Sequence, residues 1–163
     1  APIFGRTGGV MTAALRTAYE VIQGEEIGDL ELEALGQYEG IKKASVDTNA
    51  GTVKVAVASG LGNARIICED ILEGGEFADY HFIEIMACPG GCIAGGGQIV
   101  TPVVKKKKAR AEGLNEDDRD CKTRKSHENA EIKELYEAFL GEPCGHLSHH
   151  LLHTSYSPQN LGE

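Results

Sequence analysis

The sequence feature that most restricts the fold is a glycine-rich segment that follows directly on a predicted strand. The run from Tyr80 to Met86 is rich in aromatic and β-branched residues, and residues 88–98 then read CPGGCIAGGGQ. Glycine allows left-handed backbone conformations and lets a bulky group approach the main chain. Consecutive N–H groups in such a loop can surround an anion, as they do at many phosphate and iron–sulfur sites. The segment therefore predicts a ligand-binding loop at the end of a strand.

The two cysteines of this segment, Cys88 and Cys92, stand four residues apart. That spacing by itself fits two buried structural cysteines, a redox pair, half of a zinc site or an iron–sulfur site. The chain has 5 cysteines at irregular spacing, and an odd number fits no disulfide framework. From the spacing alone, ligand and thiol roles stay open.

Hydrophobic periodicity predicts helices that alternate with strands, which is typical of an α/β unit. The predicted helices are 8–22, 62–73, 106–120 and 129–140, and the predicted strands are 41–47, 53–58 and 80–86. In the first helix, apolar side chains recur at Val10, Ala13, Ala14, Ala18, Val21 and Ile22. A turn is expected at 49–51, with Ser126 as the N-cap and Gly141 as the C-terminal stop of the last predicted helix.

The balance of charge excludes some classes of partner. The formal net charge is −9, from 16 basic and 25 acidic residues, which argues against a nucleic-acid or anionic-membrane binder. Lys105 to Lys108 form a basic run, which fits either a solvated loop or a docking patch for an acidic electron carrier. No apolar run approaches the roughly 20 residues that span a bilayer, and residues 1–4 do not resemble a signal peptide. We therefore expect no membrane span and a cytoplasmic location.

Several stretches resemble the catalytic domain of iron-only (FeFe) hydrogenases. Residues 84–98, EIMACPGGCIAGGGQ, resemble its third cysteine signature. Residues 4–20, FGRTGGVMTAALRTAYE, resemble the loop and helix that wall its active-site pocket. Residues 126–143, SHENAEIKELYEAFLGEP, and residues 146–156, HLSHHLLHTSY, resemble its C-terminal helix and tail. The resemblance covers nearly the whole chain and implies the C-terminal half of that domain.

The resemblance implies one α/β lobe of this catalytic domain. The expected fold is a small, mainly parallel sheet flanked by helices, with a helical C-terminal tail. Residues 1–104 would form the lobe that carries the pocket loop and the cluster-binding segment, and residues 105–163 would form the helical region.

The cofactor that the resemblance implies is the H-cluster. This group is a [4Fe-4S] cubane joined through a cysteine sulfur to a diiron unit with carbon monoxide, cyanide and dithiolate ligands. By resemblance, Cys88 holds the cubane, Cys92 holds it and bridges to the diiron unit, and Met86 packs against the diiron unit. The residues that match positions enclosing the dithiolate are Phe4, Gly5 and Val10. The implied reaction, nearest Cys92 and Met86, is the reversible reduction of protons to dihydrogen.

The family's first two signatures, which supply the other two cubane cysteines, are absent from the sequence. The chain would therefore be either a truncated piece or a natural subunit of a split hydrogenase, and Ala1, as expected after removal of an initiator Met, favours the subunit. The expected partner is another hydrogenase subunit that carries the remaining cysteines and accessory iron–sulfur clusters. Electrons would be exchanged with ferredoxin or with NAD(P)H- and flavin-linked subunits. Arg6 departs from the family, because it places a long cation in a pocket loop that usually has small residues.

Two other functions compete with the hydrogenase interpretation. One is a non-enzymatic iron–sulfur assembly or sensory protein of the same fold, and the other is a small interaction domain whose cysteines bind nothing. Met86, Phe4 and Val10 would also suit an ordinary core, and Glu84 fits either an ion pair or a group that supports the site. The remaining cysteines and the tail histidines are expected to be free thiols and surface or capping groups, respectively: Cys68, Cys121, Cys144, His146, His149, His150 and His153.

Overall fold

The computed structural model describes residues 2–28, 33–34, 40–99 and 104–157. The chain divides into two compact units, Ala1–Lys125 and Ser126–Glu163. The predicted division after residue 104 stays a prediction. No helix among the described residues combines the length and the apolar character needed to cross a membrane.

The first unit is built on a four-stranded sheet in the order β1-β2-β3-β4. Its strands are β1 (Glu33–Ala34), β2 (Ile41–Thr48), β3 (Gly51–Ser59) and β4 (Phe82–Met86). Strands β2 and β3 form an antiparallel hairpin that pairs Thr48 with Gly51, and β1 is antiparallel to β2. Strands β3 and β4 are parallel, and they pair from Val55 with Phe82 to Ser59 with Met86.

The α/β class is confirmed, but the expectation of a mainly parallel sheet is wrong. The sheet of the described residues is mixed, with one parallel pair and two antiparallel pairs. The physical reason is the length of the connections. The two-residue turn at Asn49 and Ala50 permits only antiparallel pairing, whereas the parallel pair has a helical crossover between its strands.

Helices cover both faces of the sheet. Helix α1 (Gly9–Gln23) packs Met11 and Leu15 against Val55 and Val57 of β3. On the opposite face, Ile67 of α2 (Leu61–Leu72) packs against the alternate residues Ala56 and Ala58.

The apolar side of α1 differs from the predicted one. Met11 and Leu15 are buried, and Tyr19 packs partly buried beside them, so the core face follows an i, i+4, i+8 spacing. Of the residues predicted for this face, Ala13 is buried, and five are not: Val10, Ala14, Ala18, Val21 and Ile22.

Helix α3 (Val104–Asp120) completes the first unit. The basic run Lys105–Lys108 lies in its first turns, so it belongs to a helix and not to the expected loop, and the docking patch stays a prediction. Lys105, Lys106 and Lys108 are exposed, and Lys107 is half-buried.

The second unit is helical throughout its regular elements. Asn129, not the predicted Ser126, caps α4 (Ala130–Leu135), because its side chain accepts from the N–H groups of Glu131 and Ile132. Ser126 instead begins a short 3-10 turn. A π-helical turn, Tyr136–Leu140, continues α4 and ends at Gly141 with a φ of 76°, as the predicted stop requires. Helix α5 spans His146–Leu152.

Candidate metal-cluster site

The segment that carries Cys88 and Cys92, residues 87–99, follows directly on β4 and is called the cysteine loop below. The carbonyl of Cys88 accepts a hydrogen bond from the N–H of Gly91 at 2.9 Å, which closes a tight turn. Gly90 and Gly91 have φ angles of 88° and 85°, in the left-handed region that favours glycine. The chain then forms a 3-10 turn over Cys92–Ala94, and the N–H of Gly95 donates to the carbonyl of Cys92. The two thiols therefore stand on either side of a turn that only glycines form without strain.

Residues 4–8, called the pocket loop below, pack against the cysteine loop. A Cβ atom on Gly91 would lie 2.8 Å from the amide nitrogen of Thr7 and 3.0 Å from the carbonyl oxygen of Gly5. A Cβ atom on Gly5 would in turn lie 3.7 Å from Ile93 and 3.1 Å from Leu114 of α3. The two loops thus approach each other so closely that no side chain fits at either glycine without a shift of its neighbours.

Glu84 ties the pocket loop to the strand that ends in the cysteine loop. Its buried carboxylate accepts hydrogen bonds from the N–H groups of Gly8 and Met11, both at 2.7 Å. Gly8 is the N-cap of α1 and has no side chain to satisfy the free amides of the first turn. Glu84 supplies this cap although it is 76 residues away in the sequence. The sequence left open whether Glu84 forms an ion pair or supports the site, and the structure shows the second role.

The predicted pocket residues are not core residues. Phe4 is 44% exposed although it is apolar, and Gly5, Val10 and Met86 are half-buried. Met86 is the last residue of β4, while Phe4 and Gly5 belong to the pocket loop and Val10 to the first turn of α1. All four therefore lie on elements joined to the cysteine loop by Glu84 and by the close approach at Gly91.

Arg6 is anchored to α3. Its Nε donates to Oδ1 of Asn115 at 2.6 Å, and its Nη1 donates to the carbonyl of Thr7 at 3.2 Å. Burial lowers the pKa of Arg6, and the negative charges of Glu84 and Asp118 oppose this shift. The long side chain of Arg6 thus braces the pocket loop against α3.

A charged cluster also joins α1 to α3. Arg16 makes a bidentate ion pair with the buried carboxylate of Asp118, at 3.0 and 2.7 Å, and Arg124 donates hydrogen bonds to the same carboxylate. Burial by itself raises the pKa of Asp118, but the hydrogen bonds and positive charges of Arg16 and Arg124 outweigh it and hold this pKa below its ordinary value. Neither Arg16 nor Asp118 was predicted, since nothing local in the sequence marks a charged pair formed 102 residues apart.

The other cysteines lie on other elements of the chain, and the tail histidines belong to the second unit. Cys68 is exposed on α2, Cys121 follows α3, and Cys144 lies in the second unit. The rings of His149 and His153 approach to 4.4 Å between centroids. Within the described part of the chain, no group of three potential metal ligands contains a cysteine or a histidine of α5.

The residues present fit an iron–sulfur group. Thiolates are the ligands such clusters use, and Cys92 is exposed while Cys88 is half-buried, so an external group can reach them. A Cβ atom on Gly95 would lie 2.9 Å from the sulfur of Cys88, so any larger residue at this position would crowd the thiol. Partly exposed apolar residues on the joined pocket loop would exclude water from a bound group.

Fold and site together describe an α/β protein with two accessible thiols on a glycine-rich loop, an arrangement that fits an iron–sulfur group. The family model for the iron-only hydrogenase large subunit, C-terminal domain, matches residues 1–96, and that for the iron hydrogenase small subunit matches residues 104–159. The chain belongs to the iron-only hydrogenase family. The resemblance inferred from residues 84–98 and 4–20 is confirmed.

Individual relatives agree with this assignment. The chain is 49% identical over 157 residues to an NADP-reducing hydrogenase subunit, HndD, of Solidesulfovibrio fructosivorans, covering 96% of this chain and 26% of the relative. A solved variant of the [FeFe]-hydrogenase HydA1 from Chlamydomonas reinhardtii matches with a TM-score of 0.75 and 39% identity, covering 94% of this chain and 45% of that one. A more distant relative, a probable cytosolic Fe–S cluster assembly factor of Drosophila persimilis, is 35% identical over 116 residues, covering 71% of this chain and 24% of the relative. The chain therefore spans about a quarter of these curated relatives and less than half of the solved structure.

Proposed function

We propose that the chain supplies part of the H-cluster site of an FeFe hydrogenase that interconverts protons and dihydrogen. The observation that carries the proposal is the junction of two loops. The cysteine loop and the pocket loop meet at Gly91 and are tied by Glu84, so two thiols and a set of partly exposed apolar residues lie on joined elements.

In this proposal Cys88 and Cys92 hold the [4Fe-4S] cubane, and Cys92 also bridges to the diiron unit. When bound, the H-cluster supplies the redox and proton-reduction chemistry. The protein supplies binding and exclusion of water. Phe4, Val10 and Met86 present apolar surface toward the site, and Gly5, where Leu114 and Ile93 leave no room for a side chain, lets the pocket loop approach the cysteine loop closely.

Among the described residues, Cys68, Cys121 and Cys144 do not join Cys88 and Cys92 in a group of potential metal ligands, so the cubane lacks two of its cysteines. We therefore propose a partner segment or subunit that carries them, together with accessory iron–sulfur clusters. The relative named as an NADP-reducing hydrogenase subunit supports exchange of electrons with NAD(P)-linked subunits, with ferredoxin as a further carrier. The exposed lysines at the start of α3 suit an acidic carrier.

Infrared spectroscopy tests this proposal. The chain is produced together with the segment that carries the other two cysteines, and the assembly is matured with the family's assembly factors. We expect carbonyl and cyanide bands and hydrogen evolution in the wild type, and loss of both in Cys92→Ser. Cys68→Ser, which removes an exposed thiol elsewhere, should leave both unchanged. Bands that persist in Cys92→Ser, or a matured assembly with all four cysteines and no bands, would refute the assignment.

A second candidate function is an iron–sulfur assembly protein of the same fold, and the Drosophila relative favours it. Such a protein would bind iron and sulfide through Cys88 and Cys92 without a diiron unit. Iron and sulfide contents that match a cubane, in the absence of carbonyl and cyanide bands, would support this alternative over the enzyme.

A further inference from the structure

The second half of the cysteine loop has few contacts of its own. Gly96 and Gly97 have no neighbouring heavy atom within 4 Å of an ideal Cβ position, and both are exposed. Three backbone hydrogen bonds within the loop, donated by the amides of Ala94, Gly95 and Gln98, span 3.0 to 3.3 Å. A glycine-rich segment loses much conformational entropy when it is ordered, so these weak local bonds require support from outside the loop.

Arg110 on α3 provides this support. Its Nη1 donates to the carbonyl of Ile93 at 2.8 Å, and its Nη2 donates to the carbonyl of Ile99 at 3.1 Å. One planar guanidinium thus joins both ends of the segment from Ile93 to Ile99 and holds them against the helix. Lysine has a single nitrogen at the end of its side chain and cannot reproduce this fork.

The same contact places a permanent positive charge beside the site. Ile93 directly follows Cys92, so the guanidinium is bonded to the residue next to a proposed cluster ligand. An iron–sulfur cluster becomes more negative when it is reduced, and a nearby cation stabilises the reduced state more than the oxidised one. A fixed cation at this position therefore raises the reduction potential of the cluster.

We propose that Arg110 is a positioning residue of the cluster site, which closes the Ile93–Ile99 segment behind Cys92 and raises the reduction potential of the cluster bound there. The part that concerns the potential rests on the proposed function. The part that concerns the loop does not, because it follows from contacts within this chain.

The first test uses the assembled protein prepared without iron, so that no cluster is bound. Hydrogen exchange is measured at the amides of Ala94, Gly95 and Gln98 in the wild type, Arg110→Lys and Arg110→Gln. Loss of one net hydrogen bond to a charged group should speed this exchange about tenfold or more in both variants. The amide of Ser59, which donates to Gly40, reports on wider unfolding and should not change.

Arg119→Gln is the matched control, since Arg119 is an exposed arginine on the same helix, nine residues and about 14 Å farther along its axis. It should leave the exchange of the loop amides unchanged. Equal exchange in the wild type and in both Arg110 variants would overturn the positioning role.

The second test is the reduction potential of the cubane in the matured assembly. Arg110→Gln removes the charge and should lower the reduction potential. Arg110→Lys keeps the charge, so its reduction potential should stay close to that of the wild type even though the loop is held less firmly. Equal shifts of the potential in Arg110→Gln and Arg110→Lys, or no shift in Arg110→Gln, would overturn the electrostatic part. A wild type that takes up no cluster would refute the proposed function and the electrostatic part with it, while the exchange data would still decide the role of Arg110 in the loop.

Discussion

Substitution of Glu84 by Gln should destabilise the protein far more than a matched change at the surface. The carboxylate accepts two N–H groups at 2.7 Å, and hydrogen bonds to charged groups contribute about 1.5–3 kcal/mol each. Gln keeps one acceptor oxygen but turns an NH₂ group toward the second N–H. The Glu84→Gln variant also loses the favourable interaction of a negative charge with the N-terminus of α1. We expect the free energy of unfolding to fall by about 2–3 kcal/mol.

Urea denaturation followed by far-ultraviolet circular dichroism measures this loss, on protein purified without cluster. Glu69→Gln is the control, because Glu69 makes an exposed i, i+4 pair with Arg65 that should contribute only about 0.3–0.5 kcal/mol. Hydrogen exchange localises the effect, since the amides of Gly8 and Met11 should lose protection in Glu84→Gln only. If Glu84→Gln costs no more than Glu69→Gln, Glu84 does not cap α1 and the reasoning is wrong.

Two further predictions concern the glycines of the cysteine loop and the ion pair between α1 and α3. Gly91→Ala should lower the free energy of unfolding by at least about 1–2 kcal/mol and reduce iron uptake, because φ is 85° and the added Cβ would lie 2.8 Å from a backbone nitrogen. Gly96→Ala is the control, and it should change neither the stability nor the iron uptake because the space around Gly96 is open. The lowered pKa of Asp118 means that its carboxylate stabilises the fold above the unfolded-state pKa of about 3.9, and that this contribution is lost as the pH falls through the lower folded-state value. Asp118→Asn should therefore lower the free energy of unfolding by about 3 kcal/mol at pH 7, measured by urea denaturation. The difference in stability from the wild type should shrink as the pH is lowered below about 4. A difference that stays constant would contradict the stabilising role of the Asp118 carboxylate.

Features encoded by neighbouring residues could be predicted from the sequence. The glycine-rich string after a β-rich run indicated a ligand-binding loop, and the structure shows the left-handed turn at Gly90 and Gly91 that requires those residues. Gly141 was likewise predicted as the end of a helix, because the positive φ that ends a helix depends on the residue type at that position, and glycine favours it. The N-cap of the same helix was missed by three residues, since Ser126 and Asn129 are both good caps and only the backbone conformation distinguishes them.

Features that depend on which elements meet could not be predicted in this way. The sequence alone determined the order of the helices and of the three longer strands, the cysteine loop and the family, whereas β1 was not predicted. The pairing of strands required knowledge of how the connections run, which is why the sheet proved to be mixed. Only the tertiary structure decided that Glu84 caps a helix 76 residues away and that Arg110 closes the loop behind Cys92. The physical reason is that a buried or half-buried charge must find its partners wherever packing brings them, and packing is decided by the whole chain.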